Sequence, residues 1–264
     1  MPKAKINGIE LYYEVHGDGY PIACLHGFTA TAAMWQPQVI PFSKKYKLII
    51  YDARGHGKSE SPPSLSDYST EIAVEDLNQL LSRLHIEKAV IMGLSMGGYV
   101  SLNFCLSHPE KVAALILAGT GPGFRSKVKL QQWNEQMETI AKALETKGLA
   151  ALNEEYIASS IGRPPGEETS KLFRHSSPIG LINTAHSMLS NVGVIERLPE
   201  IKVPTLIIVG EHDTNFMQAS LYLNASIKDS ERVVVPDAGH VMNMDQPELF
   251  NNAVLQFLKS KGLP

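Results

Sequence analysis

The apolar positions of this chain fall into two kinds of run. Up to about residue 120, short continuous apolar stretches alternate with longer segments in which apolar residues recur every three or four positions. PIACL, YKLIIY, KAVIMG and KVAALILAG are of the first kind and predict buried strands. STEIAVEDLNQLLSRLHI is of the second. Its Ile72, Val74, Leu77, Leu80, Leu81 and Leu84 share one helical stripe, with Ser69 or Thr70 as N-cap and acidic residues following. SMGGYVSLNFCLSHPE reads as a further helix, stopped near Pro109. Ahead of these, GIELYYEVHG reads as a half-exposed strand, and the Asn-Gly before it predicts a hairpin. Strands apolar throughout and separated by helices belong to a parallel sheet covered on both faces.

From about Gly121 to about Leu198 the rhythm changes. KVKLQQWNEQMETIAKALETKG, LAALNEEYIASSIG and EETSKLFRHSSPIGLINTAHSMLS read as consecutive helices with no strand between them. The alternation then resumes with VPTLIIVGEHD (strand), NFMQASLYLNAS (helix), ERVVVPDAGH (strand) and QPELFNNAVLQFLKSKG (helix). The expected organisation is an α/β core made of residues 1–120 and 199–264. Residues 121–198 form a helical cap inserted over the carboxyl edge of the sheet. No internal repeat or low-complexity segment occurs.

Composition narrows the function classes. The 264 residues, 44% hydrophobic and 19% charged, suit a globular protein with one sizeable core. A formal net charge of -3 offers no basic footprint, so neither nucleic acid nor an anionic membrane is expected as a partner. Lys44, Lys45 and Lys47 read as a solvated loop or helix end. Cys24 and Cys105 lie in apolar surroundings without metal-type spacing and read as buried free thiols of a reducing compartment. With no apolar leader in MPKAKINGIELYYEVHG and no long apolar span, a cytoplasmic location is expected. GHGKS is not a phosphate loop, because that pattern needs glycine where Asp52 stands. No metal site and no cofactor are expected.

The candidate chemistry centres on VIMGLSMGGYV. Gly93-Leu94-Ser95-Met96-Gly97 matches G-x-S-x-G, with a predicted strand before it and a helix after it. A turn sharp enough to raise a side chain above the sheet crowds the backbone at its second neighbours, where only glycine fits. A structural serine in a glycine-rich turn is the competing reading. A serine hydroxyl becomes a nucleophile only beside a base. His240 ends VVVPDAGH and Asp213 ends LIIVGEHD, each on a loop after a predicted strand. The order Ser95, Asp213, His240 is the one that the α/β fold uses. LILAGTGPG, in which the preceding strand ends, contains no acidic residue, and Glu211 is the next alternative carboxylate.

Taken together, HGF, DARGHGKS, the serine turn, the helical insertion, GEHD and AGH make the chain resemble the α/β-hydrolase family over essentially its whole length. It is similar within that family to serine esterases, 3-oxoadipate enol-lactonases and the haloperoxidase/perhydrolase group. The resemblance implies a mostly parallel sheet with helices on both faces. It implies Ser95 as nucleophile, His240 as general base and then acid, and Asp213 as the carboxylate that orients the imidazole. It also implies an oxyanion hole built from the backbone N–H groups of Phe28 and Met96, whose side chains are free to line an acyl pocket. Trp133, Met137 and Met188 are candidates to face substrate from the cap, with helix-to-helix packing as the other reading of each. His26, Asp52, Arg54 and His56 read as loop organisers, and His212 as a neighbour on the turn. The implied activity is hydrolysis of carboxylic esters of small to medium apolar substrates through an acyl-enzyme, without a cofactor. A lactonase of the enol-lactonase type and a meta-cleavage-type carbon–carbon hydrolase are the alternatives. A slow-turnover ligand receptor on the same scaffold is the alternative of another class. Epoxide hydrolases and dehalogenases are set aside because they use an aspartate where Ser95 stands.

Overall fold

The computed structural model describes residues 3–155, 166–187 and 193–263. β1 (Lys3–Ile6) and β2 (Ile9–His16) form the antiparallel hairpin that Asn-Gly predicts. Asn7 (φ 46°) and Gly8 (φ 83°) supply the two left-handed residues such a turn requires. β3 (Tyr20–Leu25), β4 (Tyr46–Tyr51), β5 (Ala89–Leu94), β6 (Val112–Ala118), β7 (Thr205–Gly210) and β8 (Ser230–Val235) follow. The eight strands make one sheet in the order β1-β2-β4-β3-β5-β6-β7-β8, parallel from β4 onward.

The continuous apolar runs are strands buried on both faces. Along β5, Ala89 and Ile91 join one core cluster, while Val90, Met92 and Leu94 join the other. The first cluster is closed by α2 (Thr70–Arg83) and α3 (Met96–Ser107), and by Leu223 of α7 (Met217–Ser226). The second is closed by α1 (Gln36–Ser43), the short α8 (Met242–Asp245) and α9 (Pro247–Ser260). α2 starts as its sequence predicts, with the Ser69 hydroxyl accepting from the Ile72 N–H. Its Val74, Leu77, Leu80 and Leu81 all face the core. Truncating such a leucine to alanine costs about 2–5 kcal/mol.

Between β6 and β7 the described residues form α4 (Lys127–Lys147), a short turn at Gly148–Asn153, α5 (Glu167–Phe173) and α6 (Pro178–Ser187). EETSKLFRHSSPIGLINTAHSMLS is therefore not one helix. Pro178 disfavours helical geometry at Ser177, so the chain breaks between α5 and α6. These helices share a small core of their own, including Met137, Ile140, Leu144, Phe173 and Leu181. They rest on the loop after β4, where the Gly57 N–H donates to the Ser176 hydroxyl at 3.0 Å. A Cβ on Gly180 would meet the Gly55 carbonyl oxygen at 2.3 Å. The segment between β6 and β7 leaves and rejoins the sheet through a neck. The Val194 N–H donates to the Pro122 carbonyl at 2.8 Å, and a Cβ on Gly123 would lie 2.3 Å from Gly193 Cα.

The strand order reverses between β3 and β5, the two neighbours at the centre of the sheet. In an open parallel sheet the crevice at such a switch point, beyond the carboxyl ends of the strands, is where ligands bind. Phe28 follows β3 and Ser95 follows β5.

Candidate active site

Ser95 sits between β5 and α3 with φ 56° and ψ -116°, a conformation that costs a non-glycine residue about 1–3 kcal/mol. The backbone around it is held from several sides. The Ser95 N–H donates to the Ala118 carbonyl at 2.9 Å, and its carbonyl accepts from the Tyr99 N–H at 3.0 Å and the Thr120 hydroxyl at 2.8 Å. The glycines flanking the turn have no room for a side chain. A Cβ on Gly93 would lie 2.2 Å from the Gly97 oxygen, and one on Gly97 would lie 2.2 Å from the Leu25 oxygen. On Gly98 it would meet Thr120 at 2.6 Å.

His240 follows β8, and its Nδ1 lies 2.8 Å from Oδ2 of Asp213, which follows β7. The carboxylate side chain is 1% exposed and the imidazole 12%. In the tautomer whose Nδ1–H donates to Asp213, Nε2 carries the lone pair. Phe216 stacks on the imidazole face. Glu211 is exposed and accepts instead from the Asp237 N–H at 3.0 Å. Exposed His212 donates its N–H to the Ala238 carbonyl. Gly119, at the end of β6, passes beside the pair: a Cβ there would lie 3.1 Å from His240 Nδ1 and 3.2 Å from Asp213 Oδ2. Sequence reasoning did not single out Gly119 or Phe216. The only available signals were a glycine one position past an apolar run and an aromatic at the start of a helix.

Ser95, His240, Phe28 and Met96 all line one cavity of about 420 Å³, and so do Trp133 and Met137. Met188 lies outside the described residues. Met96 is the first residue of α3, so its N–H has no acceptor within the helix. The Phe28 ring packs edge-on against His56, with centroids 6.1 Å apart. The Trp133 ring lies beside Phe124, tilted by 42° with centroids 5.7 Å apart, and Met137 is 2% exposed.

His26, Asp52, Arg54 and His56 are all buried. His26 bridges two loops, with Nδ1 bonded to the Gly27 oxygen at 2.8 Å and Nε2 accepting from the Ala53 N–H at 2.9 Å. Burial lowers its pKa to about 4 and that of neighbouring His56 to about 3. Asp52 accepts from the Ala32 and Lys58 N–H groups. Burial raises its pKa despite those bonds. Arg54 forms a buried pair with Asp76 of α2 at 2.7 Å and also reaches the Asn7 carbonyl at 2.9 Å. Glu211, His212 and Asp237 come together at the surface, with one potential ligand atom each within 4.8 Å of the others, and all three are exposed. Cys24 and Cys105 are buried and unpaired, and burial raises both thiols. Among the described residues no helix is long and apolar enough to cross a membrane.

Comparison with known proteins gives a consistent family. A family model described as alpha/beta hydrolase fold matches residues 20–247. A Bacillus subtilis protein provisionally named 2-succinyl-6-hydroxy-2,4-cyclohexadiene-1-carboxylate synthase is 31% identical, covering 90% of each chain. The 3-oxoadipate enol-lactonase 1 of Acinetobacter baylyi is 30% identical, covering 86% of this chain and 84% of its own. Among solved structures, a thermophilic esterase from Thermogutta terrifontis, with malate bound, superposes at a TM-score of 0.88. It is 28% identical, with 99% of each chain covered.

Proposed function

This chain belongs to the alpha/beta hydrolase fold family, and we propose that within it the protein is a serine carboxylesterase acting on small to medium apolar esters. The observation that carries the reading is the sharing of one cavity by Ser95, on a strained turn, and His240, whose Nδ1 meets a buried carboxylate. In this reading Ser95 Oγ attacks the ester carbonyl and His240 Nε2 takes its proton, while Asp213 stabilises the imidazolium. The negative charge of the tetrahedral intermediate falls on the carbonyl oxygen. The N–H groups of Met96 and Phe28 donate to it, with the N-terminus of α3 adding favourable potential. Collapse expels the alcohol, which receives the proton from His240. Water, activated by the same imidazole, then cleaves the acyl-enzyme and regenerates Ser95.

A second reading, hydrolysis of a lactone, is favoured by the likeness to the Acinetobacter baylyi enol-lactonase. It uses the same residues, and only the tether between alcohol and acyl group differs. The helices between β6 and β7 act in both readings as a cap that encloses substrate through Trp133 and Met137.

The experiment is kinetic and chemical at once. Ser95→Ala should lower turnover of short p-nitrophenyl esters by about 10⁴-fold or more with the fold intact. A serine-directed phosphonate should label the wild type at Ser95 alone. Retained activity in a folded Ser95→Ala protein refutes the assignment. Rapid multiple turnover on an ester and lactone panel separates enzyme from slow receptor and ranks the two bond types.

A further inference from the structure

The cavity above Ser95 has an uneven charge inventory. Among the described residues that line it none carries a carboxylate side chain. Among those same described residues Lys129 is the one lysine or arginine. Lys129, Gln132, Trp133, Gln136 and Met137 line the cavity together, and in α4 they stand at positions i, i+3, i+4, i+7 and i+8. One face of that helix therefore meets the site. The face is graded along its length: Met137 is buried, Trp133 and Gln136 are half-buried, and Lys129 and Gln132 are exposed at the outer end.

The placement of Lys129 runs against its own helix. Ser126 caps α4, and the first turn contains Lys127 and Lys129 with no acidic residue. Two ammonium groups thus stand at the positive end of the helix dipole, where anions are favoured and cations are not. Later in the same helix Lys142 pairs with Glu138 and Lys147 with Glu154. No carboxylate among the described residues pairs with Lys129. A local conflict of this kind, at the wall of a cavity with no acidic side chain among its described lining residues, is resolved when a ligand brings the negative charge.

We propose that the substrates carry a carboxylate at the end remote from the scissile bond, and that Lys129 receives it at the cavity's outer end. This rests on the serine-hydrolase reading of the same cavity. The apolar stretch between the two ends lies along Trp133 and Met137. Gln132, on the same row as Lys129, offers amide N–H donors to the same group. At the exposed rim one ion pair changes affinity modestly, and the effect weakens with salt.

Two probes isolate the charge: mono-p-nitrophenyl pimelate and its neutral methyl ester, which differ at the remote carboxyl alone. The readout is the ratio of their kcat/KM values, acid over neutral, in wild type, Lys129→Met and Lys129→Glu. At low salt the ratio should fall about three- to fivefold in Lys129→Met and about tenfold or more in Lys129→Glu. The change should appear in KM and shrink as salt is added. A ratio that is the same in all three proteins overturns the proposal, as does an equal loss on both probes. In either case turnover of the neutral ester, with phosphonate labelling at Ser95, leaves the serine-hydrolase reading standing. Failure to turn over either probe, with no labelling of Ser95, removes both readings together.

Discussion

The phenyl ring of Phe216 lies along the face of the His240 imidazole, with centroids 5.0 Å apart and ring planes inclined by 20°. The Asp213 carbonyl accepts from the N–H groups of Phe216 and Met217. One short turn thus delivers a carboxylate to the edge of the imidazole and an aromatic ring to its face. On the mechanism proposed above, the His240 imidazolium would gain about 0.5–2 kcal/mol from such a face. Phe216→Leu keeps the apolar bulk and loses the quadrupole. It should lower kcat about three- to tenfold with little change in KM or in the melting temperature. An unchanged kcat would reduce Phe216 to packing.

The strain at Ser95 predicts a trade between stability and activity. Glycine adopts φ 56° without penalty, so Ser95→Gly should gain about 1 kcal/mol in unfolding free energy while losing ester hydrolysis. Ser95→Ala relieves nothing and should unfold near the wild-type urea concentration. If the glycine variant is no more stable than the alanine one, the turn stores no strain.

Buried His26 sets part of the acid sensitivity. Its pKa is lowered from 6.5 to about 4 in the fold, so between those values the unfolded chain binds a proton that the folded chain does not. Stability is then full above about pH 6.5 and falls as the pH drops towards 4, by roughly 3 kcal/mol for this group. His56 adds a loss of the same sign that extends to about pH 3. Asp52, raised by burial, acts in the opposite sense. His26→Gln keeps a donor and an acceptor but does not titrate. Urea unfolding at a series of pH values should therefore show a shallower slope between pH 6.5 and 4 in that variant. Parallel slopes would mean that His26 is not held neutral by the fold.

The cap should set acyl length. Each methylene buried along Trp133 and Met137 contributes about 0.8 kcal/mol until the chain meets a wall, and a cavity of about 420 Å³ reaches that limit early. kcat/KM should rise with acyl length and then fall, and Trp133→Ala should move the maximum to longer chains. A length profile unmoved by Trp133→Ala and Met137→Ala, but moved by changes at Phe28 or Met96, would assign selectivity to the core loops.

Most of the strands were legible because they carry unbroken apolar runs, and α2 because its stripe and its Ser69 cap agree. α1 was not. Pro37 and Pro41 lie within its eight residues, and its apolar positions form no single stripe, so neither composition nor periodicity marks it. The break before Pro178 is hidden in the sequence because apolar residues recur on both sides of it. At the site, glycine spacing foretold the crowding at Gly93 and Gly97, since that crowding is local to one turn. Phe216, Gly119 and Lys129 became visible only when separate loops and helices met, and such meetings leave no mark within a short stretch of sequence. His26 and Asp52 read from their positions as loop organisers, and their bonds to Ala53, Ala32 and Lys58 accord with that role.

The neck at Pro122–Gly123 and Gly193–Val194 has a consequence for how this protein diversifies. The two crossings touch backbone to backbone, so everything between them forms a closed excursion whose ends are already joined. Loop-closure entropy rises only slowly with length, so an excursion of very different size could hang from the same two points at little cost to the sheet. Recombination or laboratory grafting across this junction would exchange the roof of the cavity while Thr120 and Ser95 keep their bond beneath it. New specificities would then arise by replacing one cassette of chain rather than by rebuilding the machinery under it.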